Sequence, residues 1–265
     1  MHPRYKHAGF SLIEMIIVIS VTAIVGAMVA TFLKIPIDGY LAQDRRSRLT
    51  DTADTALRRV AQDVRLALPN SVRVTTAGGV TYLEFLITRT GGRYRAEGGG
   101  DVLDFSTADS SFDVLGPAIV MRAGDQIAVY NLGIPGADAW LGETLAAYSG
   151  AGGTLTTIPL APAKLFPVAS PGNRFQVVEG PVTYACDPVA GTLTRYWGYG
   201  IADPQPTPPA APASSALLAN RVSACTFTYL PGITERGGLV SMTLALTLNN
   251  ETVRLHSNTQ VSNQP

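Results

Sequence analysis

From residue 15 to residue 33 the chain carries no charged side chain, and that run is just long enough to cross a bilayer as a helix. Glu14 stands at its start, where an ionised carboxylate costs about 2.5–3.5 kcal/mol on insertion scales. A carboxylate in that position asks for a partner. Arg4 and Lys6 precede the run, so the positive-inside rule keeps residues 1–9 in the cytoplasm and sends everything after Lys34 across the membrane. A secretory signal has a shorter apolar core followed by a small-residue cleavage site, and no such site follows here. Any processing signal therefore precedes the helix.

Beyond the apolar run, Ile35-Pro36 and Asp38-Gly39 predict a kink or short break, because proline removes a backbone donor and restrains the residue before it. Over residues 40–68 a helical pattern resumes, with Leu49, Ala53, Leu57 (or Ala56), Val60, Val64 and Leu68 recurring every three or four residues until Pro69-Asn70 ends it. The other face carries Arg45, Arg46, Arg48, Arg58, Arg59 and Arg65 among Asp44, Asp51, Asp54 and Asp63, which reads as a solvated face with local ion pairs or as a contact with neighbouring subunits.

The remainder reads as strands. Val240, Met242, Leu244, Leu246 and Leu248 alternate with small and hydroxyl residues, Asn249-Asn250 supplies a turn, and Val253 and Leu255 continue the alternation in a hairpin. Residues 182–186 and 192–197 flank Asp187-Pro188-Val189-Ala190-Gly191 as a second hairpin, and Cys225, Phe227 and Tyr229 share one face of a strand ending near Pro231-Gly232. Shorter strands are expected at 80–87, 119–122, 126–130 and 175–178. Gly91-Gly92 and Gly98-Gly99-Gly100 mark flexible connections, and residues 203–215, rich in proline, read as an exposed mobile loop or as a polyproline recognition segment. A packed helix followed by strands and many Gly and Pro turns gives an α+β domain with a largely antiparallel sheet.

Lys+Arg and Asp+Glu both number 20 and the isoelectric point lies near 6.8, so the electrostatic footprint of a nucleic-acid binder is missing. Cys186 and Cys225 are the only cysteines, and both fall in the exported part. An oxidising compartment allows them to bond, which would stabilise the domain by roughly 4 kcal/mol, while two buried thiols that never meet are the alternative. His2 and His7 precede the helix, leaving His256 as the one histidine for acid–base or metal chemistry, and on a strand face it reads as structural. Asp101, Asp104, Asp109 and Asp113 could offer oxygens to calcium but lack EF-hand spacing, and read as a polar loop. No nucleophile elbow, phosphate loop, dinucleotide fingerprint or zinc helix is present, so no enzyme and no cofactor are expected.

Gly9-Phe10-Ser11-Leu12-Ile13-Glu14, placed directly ahead of an apolar helix, resembles the type IV prepilin signature. The resemblance implies a pilin-like fold, a long N-terminal helix on an antiparallel sheet domain, and processing by a prepilin peptidase. Cleavage would fall between Gly9 and Phe10 with methylation of the new Phe10 amine. Residues 1–9 would then be a leader, 10–34 the membrane helix, 35–69 an amphipathic helix and 70–265 a periplasmic β-rich domain. Glu14 would pair with the terminal amine of an adjoining subunit during assembly, or else snorkel to the headgroups of a lone anchor. Ala23/Ala27 and Gly26/Ala30 add small residues at a four-residue spacing that permits close helix contact.

Further along, Val182-Thr183-Tyr184-Ala185-Cys186, Leu193-Thr194-Arg195-Tyr196, Asn220-Arg221-Val222-Ser223-Ala224-Cys225-Thr226-Phe227 and Val261-Ser262-Asn263-Gln264-Pro265 resemble the MshO-type biogenesis pseudopilins of the mannose-sensitive haemagglutinin (MSHA) pilus, relatives of the J-type pseudopilins of type II secretion. That resemblance implies a minor subunit of a tip or priming complex. Its partners would be other minor and major pilins, the prepilin peptidase, the inner-membrane assembly platform and, through residues 10–34, the bilayer. Two other fibre-related readings stay open, a secretion pseudopilus subunit and a tip adhesin using Tyr196, Trp197 and Tyr199 as an aromatic binding loop.

Overall fold

One helix, α1 (Leu12–Arg65), opens the chain. The structure, a computed structural model, describes residues 9–211, 213–232 and 237–265. Residues 1–8, with His2, Arg4, Lys6 and His7, lie outside the described residues, as does Pro212 of the proline-rich segment. Where a kink or short break was expected, the helix runs through Pro36 and Gly39 without interruption. One proline removes one N–H and crowds the carbonyl four residues back, and the ladder of bonds on both sides carries the helix across that single defect.

Fourteen strands follow among the described residues. They are β1 (Arg73–Ala77), β2 (Val80–Tyr94), β3 (Asp109–Leu115), β4 (Ile119–Arg122), β5 (Gln126–Ala128), β6 (Leu145–Ala147), β7 (Gly152–Leu155), β8 (Thr157–Lys164), β9 (Arg174–Asp187), β10 (Thr192–Trp197), β11 (Ser214–Asn220), β12 (Val222–Leu230), β13 (Gly238–Leu248) and β14 (Glu251–Val261). Every named pairing is antiparallel. The main sheet runs β11-β10-β9-β2-β3-β8, with β1 beside β2, β5 beside β9 and β6 beside β5; β12-β13-β14 form a second sheet and β4-β7 a ribbon.

The chain divides into two units between Arg48 and Leu49. In the second unit the helix buries Leu49, Ala53, Ala56, Leu57, Val60, Ala61 and Val64. They share one core with Leu83 and Phe85 of β2, Val182, Tyr184 and Cys186 of β9, Leu193 of β10, and Val240, Met242, Leu244 and Leu246 of β13. This is the stripe expected from the 3.6-residue period, and side chains of this size each contribute roughly 1.5–3 kcal/mol when fully buried. A second core gathers Tyr94, Phe112, Met121, Ile127, Ile158, Phe166 and Phe175, with Phe112 and Phe175 meeting edge to face at 5.2 Å. The helix stops at Arg65; Ser71 then folds its hydroxyl back to the Leu68 carbonyl at 2.7 Å and accepts from the Leu86 amide at 3.2 Å.

The β13–β14 hairpin turns at Asn249 and Asn250 with φ of 50° and 65°, the left-handed pair that a two-residue hairpin turn requires and asparagine tolerates. The β9–β10 hairpin closes where expected, with Asp187 opposite Thr192. Gly91 and Gly92 correct the expectation of a flexible connection: they lie inside β2, opposite Gln176 and Phe175. A Cβ on Gly91 would come within 2.7 Å of the Phe175 carbonyl oxygen, so glycine here marks a close approach of two backbones. Gly98, Gly99 and Gly100 do lie in the irregular connection between β2 and β3.

Candidate functional site

From Gly9 to Lys34 every residue is exposed, and among the described residues the side-chain hydrogen bonds of that stretch stay within it. Ser11 and Glu14 form a capping box. Glu14 Oε2 accepts from the Ser11 amide at 3.0 Å and from the Ser11 hydroxyl at 3.1 Å, while the Glu14 amide donates to Ser11 Oγ at 3.3 Å. The carboxylate therefore satisfies first-turn donors that have no helical partner and sits where the helix dipole favours a negative charge. Thr22 and Thr31 turn their hydroxyls back onto the carbonyls of Val18 and Ala27 at 2.6 and 2.9 Å, so neither presents an unsatisfied donor to an apolar solvent. The helix is long and apolar enough to span a membrane, and none of its apolar window is buried.

At Gly9, no atom of the described residues lies within 4 Å of where a Cβ would sit. Phe10 beside it is exposed, as are Ala23, Gly26, Ala27 and Ala30. Nothing in the fold of this segment demands a glycine at position 9.

Cys186 of β9 and Cys225 of β12 are joined by a disulfide with Cα atoms 6.4 Å apart, tying the main sheet to the three-stranded one across the proline-rich connection. His256 is exposed on β14, its Nδ1 within 3.1 Å of the Thr243 hydroxyl on the opposing strand. Of the four aspartates expected in a polar loop, Asp101 and Asp104 lie in the connection before β3 while Asp109 and Asp113 lie in β3 itself, and all four accept hydrogen bonds from the domain. Asp104 accepts from the amide and hydroxyl of Ser106 and from the Thr107 hydroxyl, which hold its pKa down to about 2. Asp101 accepts from Ser111, Asp109 from the Asp104 amide, and Asp113 from Arg95 and Thr157.

The charged helix face divides. Asp44–Arg48 and Asp54–Arg58 are exposed pairs one turn apart, at 2.9 and 2.6 Å. Asp63, expected with them, is instead buried: Tyr184 and Arg195, opposite each other on β9 and β10, both donate to its Oδ2 at 2.7 Å, and Arg59 approaches Oδ1 at 3.3 Å. Burial, then the charge of Asp63, raises the Tyr184 pKa. For Arg195, burial works against the cation but the Asp63 carboxylate outweighs it and raises its pKa.

A second buried carboxylate, Glu84 of β2, is wholly enclosed and is met by Arg73 at 2.7 Å, the Tyr199 hydroxyl at 2.7 Å and the Thr183 hydroxyl at 3.1 Å. Arg73 lies over the Trp140 ring at 3.6 Å and reaches the start of the proline-rich segment, donating to the Ala202 carbonyl at 2.6 Å and to Asp203 at 3.1 Å. The aromatic loop is thereby dismantled as a unit. Tyr199 points into this cluster and is buried, its pKa raised by burial and by Glu84, while Trp197 packs against the core with the Arg195 guanidinium 4.8 Å from its ring. Strand β11 also begins at Ser214, inside the segment expected to be loop to 215.

No curated protein and no solved structure matches the chain. Across residues 4–30 it matches the Prokaryotic N-terminal methylation motif, the type IV pilin-like prepilin signal, and with the helix-on-sheet fold this motif supports a pilin or pseudopilin.

Proposed function

We propose that the chain is a minor subunit of an MSHA-type type IV pilus, acting in a tip or priming complex. A prepilin peptidase cuts between Gly9 and Phe10 and the Phe10 amine is methylated. Residues 10–34 hold the subunit in the inner membrane with the domain in the periplasm, and the assembly platform then moves the helix from lipid into the fibre. The work is helix burial and charge pairing, with no reaction on a substrate. The observation that carries this reading is the N-terminal motif on a helix whose apolar run before Lys34 is exposed throughout, a surface that lipid or other helices would cover. Gly9 is compatible with this reading: no described atom stands where its Cβ would sit, so the fold of the described residues gives no packing reason for a glycine there.

Glu14 is the assembly signal in this reading. Its capping contacts leave it exposed, and the terminal amine of an adjoining subunit offers a cation in place of neutral donors. The MSHA assignment over a secretion pseudopilus rests on residues 182–186, 193–196, 220–227 and 261–265. The adhesin reading loses its aromatic loop once Tyr199 is turned inward. The decisive experiment is intact-mass analysis of the full chain from native membranes. Wild type is expected to begin at a methylated Phe10, Gly9→Val to retain all of residues 1–9, and Glu14→Ala to be cleaved yet absent from isolated fibres. A wild-type chain still carrying the leader, or Glu14→Ala assembling normally, overturns the proposal.

A further inference from the structure

Three arginines of the main sheet each meet a buried carboxylate: Arg73 meets Glu84, Arg89 meets Asp125 and Arg195 meets Asp63. Arg93 of β2 and Arg174 of β9 break that pattern. They stand directly opposite each other in the β2–β9 ladder, which sets their Cα atoms about 5 Å apart. Like charges in that position repel. Both residues are exposed, and among the described residues neither guanidinium has an ion pair. The carboxylates of the adjoining strands are already engaged, Asp113 with Arg95 and Thr157, and Glu179 with Arg89 and Arg122.

The side chains gather the two cations instead of splaying them. Arg93 donates its Nε to the Gly172 carbonyl at 3.2 Å, and Arg174 Nε lies 3.3 Å from where a Cβ on Gly172 would sit. Both guanidinium groups thus meet at one residue that has no side chain to part them. Among the described residues, no hydrogen bond uses the terminal nitrogens of Arg93 or any side-chain nitrogen of Arg174. Arg174 also borders two open recesses. One, of about 310 Å³, runs over Gly91, Gly92 and Gln176; the other, of about 340 Å³, is lined by Tyr130, whose φ of 50° is costly for a bulky side chain.

We infer that Arg93 and Arg174 form a binding site for a phosphate group, taken up as inorganic phosphate or as a phosphomonoester whose remainder lies along the recess over Gly91 and Gln176. Two planar forks at one spot call for an acceptor with several oxygens and more than one negative charge. A phosphomonoester carries about −1.5 to −2 at neutral pH and has three acceptor oxygens, so it can engage both forks and cancel their repulsion. A single carboxylate cancels half of it.

The test is calorimetric titration of the full chain, in an uncharged detergent at low ionic strength, with inorganic phosphate, glucose 6-phosphate, glycerol 3-phosphate and acetate. At least one phosphate should bind saturably at one site per chain, and acetate about ten-fold more weakly. Arg93→Gln and Arg174→Gln should each weaken phosphate binding about ten-fold. Arg174→Lys, which keeps the charge and loses the fork, should weaken it about three-fold. Arg254→Gln removes the same charge from the exposed face of β14 and should change nothing. The tightest of the three phosphates names the source as free phosphate, a sugar phosphate or a glycerol phosphate headgroup, and each of these results supports the site. The Cys186–Cys225 disulfide on non-reducing gels and the circular dichroism spectrum report that each variant has folded. No saturable binding of any phosphate, acetate bound as tightly as phosphate, unchanged binding in both glutamine variants, or an equal loss in Arg254→Gln each overturns the inference.

Discussion

Glu14 and Glu84 stand in opposite surroundings. Glu14 lies in a segment exposed throughout, and among the described residues its hydrogen-bond partner is Ser11, three residues away. Glu84 is fully enclosed and draws its partners from β1, β9 and the residues after β10, up to 115 positions distant. The second unit of the molecule supplies its own counter-ions and its own apolar cover. Among the described residues, the first unit covers none of the apolar side chains from Leu12 to Leu33 and offers the Glu14 carboxylate only the neutral donors of Ser11. In the proposed pilin role, that difference separates a part held by its own contacts from a part available for association.

Exchanging the damage should show it. Arg73→Ala leaves the Glu84 carboxylate buried beside neutral donors alone, a loss of about 3–5 kcal/mol, or roughly 10 °C in Tm for a domain of this size. Arg73→Ala/Glu84→Gln should regain part of that. Glu14→Ala should leave Tm within about 1 °C, because only an exposed cap is lost and the helix beyond Leu49 is held by the core. Thermal unfolding of the detergent-solubilised full chain by circular dichroism measures both, and a Glu14→Ala shift as large as that of Arg73→Ala would erase the distinction.

Next in size is the disulfide. Cys186→Ala/Cys225→Ala should lower stability by about 2–4 kcal/mol, read as a lower urea midpoint, with no change in processing at Gly9. Alkaline pH tests the same interior. Tyr184 and Tyr199 have pKa values raised by burial and then by Asp63 and Glu84, so their folded values lie above the unfolded value of about 10. Their contribution is complete below pH 10 and is lost as pH rises beyond it. Tyrosinate absorbance should therefore rise in two steps, with the second coinciding with loss of near-ultraviolet dichroism. A single step at ordinary tyrosine pKa before unfolding would contradict the burial.

What could be read from the sequence was local. The helix face from Leu49 to Val64 follows a 3.6-residue period, the β13–β14 hairpin follows alternation plus an Asn-Asn turn, and the Gly9–Glu14 motif spans six neighbouring positions. What could not be read was set by distant contacts. Asp63 repeats the spacing of its exposed neighbours and differs only because Arg195, 132 residues on, faces it. An arginine on the same strand face as Leu193 was the available signal, as was a glutamate amid the apolar residues of β2. Gly91 and Gly92 offered no alternation to count, and their reason, the backbone of Phe175, appears only once β9 is laid beside them.

The smallest effect probes the boundary between the two kinds of surface. Asp54–Arg58 has the same one-turn spacing and the same residue types as Arg59–Asp63, but both its side chains face water, where the attraction is screened and holding two long side chains in register costs entropy. Asp54→Ala should cost about 0.3–0.5 kcal/mol, a shift of about 1 °C that 0.5 M salt removes. Asp63→Ala should cost several times more and keep its effect in salt, because it strands Arg195 and the Tyr184 hydroxyl in the interior. Measured together on the full chain, the two salt dependences decide the matter: if both losses vanish in salt, Asp63 is a surface charge like its neighbours and the enclosed cluster does not form.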